Sequence, residues 1–286
     1  MTTTITTSAT EYLEHKILNY VLRDGLPPAD LSGSYCWVAL YSSDPTDLDT
    51  GTELSGSGYA RVGPIGISST ARWSIANNTA IYPYQIDFTP SSASWGWVTH
   101  VGLKNDPTSG SLLFYGPLTP PVTSGIITSG SVWNNEGERF SIVGNSLSVV
   151  LSGAYSNYLA SRVLQNVLSK TATTKLGLSI WASLYTTLPD ANNYGGVEVT
   201  STNRASVGGA SNWTNPVSGS TTNNFQAWYM PATTDWGNVT GICFLTTPYS
   251  TIAGYLLLRT SLDTPVLILQ GDRCVIAPGN IVVRVD

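Results

Sequence analysis

An internal repeat limits what this chain can fold into more than any other feature of it. The run Tyr12-Leu13-Glu14-His15-Lys16-Ile17-Leu18-Asn19-Tyr20-Val21-Leu22 is answered by Tyr158-Leu159-Ala160-Ser161-Arg162-Val163-Leu164-Gln165-Asn166-Val167-Leu168. Leu40-Tyr41-Ser42-Ser43-Asp44-Pro45 returns as Leu184-Tyr185-Thr186-Thr187-Leu188-Pro189, and Gly51-Thr52-Glu53 as Gly196-Val197-Glu198. Trp73 has a counterpart in Trp213. Pro90, Trp95, Gly96, Val98 and Thr99 recur at one fixed offset as Pro231, Trp236, Gly237, Val239 and Thr240. Leu118 and Pro121 match Leu262 and Pro265, and Gly137-Glu138-Arg139-Phe140 matches Gly271-Asp272-Arg273-Cys274. Ordered blocks in register mark a tandem duplication, with length differences confined to Gly/Ser/Asn-rich stretches that read as loops. The expected division is a flexible Thr/Ser-rich arm over residues 1–11, repeat 1 over residues 12–152 and repeat 2 over residues 154–286.

Each repeat opens with one helix. Leu13, Ile17, Leu18, Val21 and Leu22, and then Leu159, Val163, Leu164, Val167 and Leu168, lie on one helical face. Short β-rich runs follow: Tyr35–Tyr41, Ala60–Ile67, Tyr84–Phe88, Gly96–Lys104, Leu112–Leu118, Arg139–Val143 and Leu147–Leu151, punctuated by Pro45, Gly58, Pro90, Gly110 and Gly144. Alternation in Leu147-Ser148-Val149 and Trp97-Val98-Thr99-His100-Val101 predicts strands with one face toward solvent. The expected fold class is mainly β: two tandem antiparallel β-sandwich units, each preceded by a short α-helix.

Composition agrees with this. Only 11% of the residues are charged and 42% are apolar, with nine Trp and fifteen Tyr. Such a mixture suits pleated sheets and is unlike the charged, aromatic-poor composition of disordered chains. The net charge of −5 and the absence of a basic run argue against a nucleic-acid partner. No apolar run is long enough to span a membrane as a helix, and Met1 to Thr10 lacks the basic start and apolar centre of a signal peptide. Folding in the cytoplasm of the producing cell is expected. Cys36, Cys243 and Cys274 are too few and too widely spaced for a disulfide framework and read as buried thiols.

The residues of catalysis are not assembled in any known pattern. There are two histidines, His15 and His100, and no spacing that suits a zinc site. No nucleophile elbow, phosphate loop or dinucleotide fingerprint is present. Neither cofactor nor metal is called for, and no catalytic residue is assigned. Asp44, Asp47, Asp49 and Glu53 cluster on one loop that loosely resembles a calcium loop but lacks its spacing, so a solvated turn is the expected reading. Exposed aromatic rings can stack on sugars or pack on proteins. Trp73, Trp95, Trp213 and Trp236 are repeated and read as core, whereas the unrepeated rings Trp97, Trp133, Tyr155 and Trp228 are the candidates for contact with a partner or glycan.

The helix at Tyr12–Leu22, Val38-Ala39-Leu40-Tyr41-Ser42-Ser43-Asp44-Pro45, Gly51-Thr52-Glu53 with Gly58-Tyr59-Ala60-Arg61, Ser94-Trp95-Gly96-Trp97-Val98-Thr99-His100-Val101, Leu112-Leu113-Phe114-Tyr115-Gly116-Pro117-Leu118 and Gly137-Glu138-Arg139-Phe140 together resemble a family of tailed-bacteriophage virion proteins commonly called tail-fibre-like. Repeat 2 departs from the pattern where Tyr59-Ala60-Arg61 is matched to Arg204-Ala205-Ser206 and His100 to Gly241. The resemblance implies a non-enzymatic structural protein of the virion surface. Within that class, the compact repeats favour a capsid decoration, or cement, protein that stabilises the head shell. Its partners would be the major capsid protein or other virion proteins, and further copies of itself, with a trimer presenting six units. The alternative is a tail fibre or tail-associated receptor-binding protein that contacts host-surface glycans.

Overall fold

The computed structural model describes residues 5–22, 36–56, 58–65, 73–118, 126–128, 131–151, 156–168, 180–199, 204–248 and 255–284. Along the chain these form β1 (Ile5–Ala9), α1 (Glu11–Leu22), β2 (Cys36–Tyr41), β3 (Val62–Ile65), β4 (Ser74–Ala76), β5 (Thr79–Tyr82), β6 (Ile86–Asp87), β7 (Gly96–Val98), β8 (His100–Lys104), β9 (Leu112–Pro117), β10 (Ile126–Thr128), β11 (Ser131–Asn134), β12 (Ser141–Ile142) and β13 (Leu147–Val150). There follow α2 (Asn157–Leu168), β14 (Trp181–Thr187), β15 (Val197–Glu198), β16 (Ala205–Ser206), β17 (Ser220–Thr222), β18 (Ala227–Trp228), β19 (Gly237–Leu245), β20 (Leu256–Ile268), β21 (Val275–Ile276) and β22 (Val282–Arg284). The protein is mainly β, and each helix precedes a group of sheets. Two compact units result, one built on the sheets from β2 to β13 and the other on those from β14 to β22.

The largest sheet of the first unit has the order β3-β2-β8-β9-β1-β13-β5-β4. Its pairs are antiparallel except β1 with β13, which run parallel. In the second unit the main sheet runs β15-β14-β19-β20, with β16 also on β14. The central strands are buried on both faces: Val38, Ala39, Leu40 and Tyr41 of β2, and Ala182, Ser183, Leu184 and Tyr185 of β14. That explains their near-continuous apolar runs. Leu13, Ile17 and Leu18 of α1, and Leu159, Val163 and Leu164 of α2, are buried as their spacing predicts.

The repeat extends to individual bonds. Thr10 caps α1: its Oγ1 accepts from Leu13 N at 3.4 Å and donates to Leu112 O at 2.6 Å. Ser156 caps α2 in the same way, accepting from Leu159 N at 3.2 Å and donating to Leu256 O. Each cap therefore satisfies a free helix amide and ties the helix start to a strand. The repeated Trp-Gly step is also explained. Gly96 and Gly237 have φ of 74° and 77°, a left-handed turn that strongly favours glycine. The turn lets Trp95 N and Trp236 N donate to Asn134 O and Ile268 O at 3.1 and 2.9 Å.

Two expectations are corrected. Residues 5–9 of the stretch read as a flexible arm form β1, inserted between β9 and β13. Its Ile and Thr residues are strand formers, and its backbone pairs on both sides, a source of order that composition does not display. The alternation in β13 does not mark a solvent face. Ser148 is as buried as Leu147 and Val149, so both faces of β13 are covered there.

If the caps anchor the helices, Thr10→Val should lower stability by about 1–2 kcal/mol in urea unfolding, while Thr10→Ser should retain most of it. An unchanged midpoint for Thr10→Val would show that the cap holds nothing.

Candidate functional site

Asp44 and Asp47 lie on an exposed turn, as expected, whereas Asp49 and Glu53 at its end belong to an ion-pair network. Arg61 and Glu53 meet side by side, Nε to Oε1 and Nη2 to Oε2, both at 2.7 Å. The remaining Arg61 nitrogen, Nη1, donates to Asp106 O at 2.7 Å and Ser109 O at 2.5 Å, which pins the turn between β8 and β9. Tyr59 OH donates to Glu53 Oε1 at 3.2 Å and accepts from Leu40 N at 2.9 Å. Lys104 Nζ lies 2.7 Å from Asp49 Oδ2 and 3.6 Å from Glu53 Oε2. Tyr41 OH donates to Asp49 Oδ1 at 3.0 Å. Burial works against the Arg61 cation, but the hydrogen bonds and charge of Glu53 outweigh it and raise its pKa. Burial, then the Asp49 charge, holds the Tyr41 phenol far above its ordinary range.

Repeat 2 rebuilds the centre of this network. Arg204 and Glu198 again meet Nε to Oε1 and Nη2 to Oε2, both at 2.7 Å. Arg204 Nη1 donates to Thr247 O at 2.9 Å and Thr247 Oγ1 at 2.7 Å, at the end of β19 where the chain turns toward β20. Arg204 is therefore the counterpart of Arg61. The match of Arg61 to Ser206 is corrected: the loop before the arginine is two residues shorter in repeat 2. The outer partners differ. Leu245 stands where Lys104 does, inside an apolar cluster with Tyr185, Cys243 and Leu256, and Ser183 donates to Glu198 in its place.

A second exchange is also compensated. In repeat 1, His100 Nε2 lies 3.9 Å from Asp44 Oδ1, and its Nδ1 is 2.9 Å from Thr99 Oγ1. Burial lowers the His100 pKa more than Asp44 raises it. In repeat 2 the two positions hold Gly241 and Leu188. A Cβ on Gly241 would stand 2.5 Å from Leu188 Cδ2 and 2.7 Å from Thr260 O, so the leucine occupies the space a side chain would need.

The aromatic candidates are placed unequally. Trp97, 40% exposed on β7, stands directly opposite Trp133 of β11 in the antiparallel register. Only the backbone position of Trp133 is described, and Tyr155 lies outside the described residues. Trp228, 59% exposed on β18, stands opposite Val275 of β21, in the other unit. An open groove of about 610 Å³ beside it is lined by Arg204, Tyr229, Met230, Pro231 and Arg273. Of the repeated rings, Trp73, Trp213 and Trp236 are buried and Trp95 is half-buried. Cys36 and Cys243 are buried free thiols, and Cys274 is half-buried. Burial pushes Cys36 and Cys243 up to about 12.

Sequence reasoning missed the exposed Met230, Val266 and Leu267. A signal for part of this lay in the repeat itself. Asp87 and Thr89 of repeat 1 correspond, at the Pro90/Pro231 offset, to Trp228 and Met230. Ser141 corresponds to Val275. Asp87 Oδ1 accepts from Ser141 Oγ at 2.5 Å, so a polar pair in one repeat has become an apolar pair in the other.

The model of one protein family, described as podophage GP4 fiber I protein gp80, matches residues 8–134 and again residues 154–284. The chain belongs to that family, carrying it twice in tandem. It is a bacteriophage fibre protein, a component of the virion with a structural role. No curated protein gives a significant match. The expectation of a capsid cement protein is overturned by this membership, which fits the fibre alternative. Compact repeats had been read against a fibre, but the compactness of one chain does not fix the shape of the assembly it joins.

In both clamps every arginine nitrogen has an acceptor, and the side chains are largely buried, 7% and 21% exposed for Arg61 and Glu53 and 4% and 13% for Arg204 and Glu198. Arg204→Met alone leaves Glu198 buried without its cation and should cost about 3–5 kcal/mol, whereas Arg204→Met with Glu198→Leu should recover most of that loss. Equal losses in the single and double variants, measured by denaturant unfolding, would show that packing rather than charge holds the turn.

Proposed function

We propose that this chain is a non-enzymatic subunit of a podophage tail fibre that contacts host-surface glycans. The observation that carries the fibre reading is the family match through both repeats. Support for glycan contact comes from the exposed indoles of Trp97 and Trp228, whose flat apolar faces suit the C–H faces of sugar rings. Trp133, opposite Trp97, and Tyr155 complete the proposed contact set. The proposed domains are repeat 1 over residues 12–152 and repeat 2 over residues 154–286. The proposed partners are other virion proteins and further copies of the chain, assembled in the host bacterial cytoplasm and displayed on the particle surface.

Antibody labelling of purified virions under the electron microscope should decorate the tail, and label confined to the head would overturn the fibre assignment. For glycan contact, phage carrying Trp97→Ala with Trp228→Ala should adsorb to host cells at least tenfold more slowly. Normal adsorption by a virion that incorporates the variant at full level would sink that part of the proposal.

A further inference from the structure

Among the described residues, repeat 2 leaves open a surface that repeat 1 closes. The two regions are equivalent strand by strand. Val132 of β11 lies opposite Val98, as Val266 of β20 lies opposite Val239. In repeat 1 the outer edge of β11 is covered by β10, with Ile126 opposite Trp133 and Ile127 opposite Val132. In repeat 2, β20 runs straight through and is the last strand of its sheet among the described residues. Val266 and Leu267 are 50% and 58% exposed there.

The packing beneath differs as well. Phe140 is fully buried in repeat 1, its ring edge-on to Phe88 at 5.7 Å. Cys274 takes that place in repeat 2. A groove of about 410 Å³ opens beside the strand, with Leu184, Val239, Ile242 and Ile276 along it and Asp272, Arg273 and Asn280 also lining it. An exposed apolar edge strand is a liability that folds ordinarily blunt with charge or cover.

We infer that this face pairs with the same face of a second copy of the chain. The internal precedent is β10, which shows that the equivalent edge in repeat 1 takes an antiparallel strand. Two identical edges can do the same for each other, since antiparallel pairing about a two-fold axis brings each strand against its own mate and closes the contact. The run Val266-Leu267-Ile268-Leu269 carries no charge that would have to be buried. Pro265, which has no N–H to give, ends the pairable stretch on one side and limits the register. The apolar part of the groove, formed by Leu184, Val239, Ile242 and Ile276, can receive the mate's Leu267 side chain. This inference rests on the proposal that the chain self-associates, and names the surface that does so.

The test is analytical ultracentrifugation of the full chain over a range of concentrations, for the wild type, Leu267→Lys, and Tyr194→Lys as an exposed control. Thermal melts confirm folding. The wild type and the control should show species of at least twice the 30.5 kDa chain mass, and Leu267→Lys should dissociate at a concentration at least tenfold higher. Cys274 should react more slowly with a disulfide reagent in the associated wild type than in the dissociated chain. A wild type that stays monomeric overturns both the inference and the self-association beneath it. Association that Leu267→Lys leaves unchanged overturns the inference alone and moves the contact to another face. A monomeric chain whose Cys274 becomes protected only when another purified virion protein is added also overturns it. Should Leu267→Lys not fold, Cys274 decides: equal reactivity in associated and dissociated wild type overturns the inference.

Discussion

The constraint on which each unit depends is the buried arginine–carboxylate clamp. A guanidinium taken out of water loses its hydration and is tolerated only if its donors all find acceptors. Arg61 and Arg204 meet that condition in the same way, with two parallel bonds to a glutamate and a third nitrogen on the turn beyond the next hairpin. A glutamate and an arginine, eight residues apart in repeat 1 and six in repeat 2, are thereby tied to a turn 45 and 43 residues further along the chain. That turn cannot move independently of the glutamate–arginine segment without leaving a largely buried charge unpaired. In a chain with only 11% charged residues, these few ion pairs specify the arrangement, and the apolar strands supply the bulk of the burial.

Divergence between the repeats is organised around that fixed centre. Where Lys104 is lost to Leu245, Ser183 supplies a donor to Glu198. Where His100 is lost to Gly241, Leu188 fills the space and the charge of Asp44 is gone as well. Inside the units, then, substitutions occur in pairs that keep volume and hydrogen bonding satisfied. Elsewhere a paired exchange changes what is exposed. Asp87 and Ser141 correspond to Trp228 and Val275, and among the described residues no strand covers β20 as β10 covers β11. A tandem duplication with a conserved interior and unequal exteriors has one fold and two sets of contacts.

The parts legible in the sequence were those written in periodicity. The helices and the apolar strands β2, β8, β9 and β13 carry patterns that follow from burial, whereas the Trp-Gly step showed as a repeated block without its left-handed turn. β1, β4 and β5 were not legible, because strands such as Ile5–Ala9 are held by backbone pairing and read locally as polar tracts. The carboxylate loop was legible as a cluster, but its partners Arg61 and Lys104 come from other strands, and residue spacing does not report which strands meet. The register of Arg204 was missed for a related reason. Matching on the alanine beside it was as good locally, and only the geometry of the clamp distinguishes the two registers. Trp228 was picked out because it is unrepeated, which is a statement about surface divergence and not about chemistry.

The shape of the chain and the role of the chain are separate questions, and the reading of a cement protein joined them too early. Each unit has its buried charges satisfied, and units of that kind can build shells and fibres alike. What distinguishes the two is the surface: a shell component must match a fixed lattice on one side, whereas a fibre component must match its own neighbours and present something outward. Here the surfaces that differ between the repeats are aromatic and aliphatic rather than charged, and they occur at strand edges. Edges and apolar rows favour repetition of one chain against another, because sheet continuation needs no partner-specific chemistry beyond a matching strand. Divergence at the edges, with the clamp unchanged behind them, allows one protein to hold its neighbour through one face and leave another free.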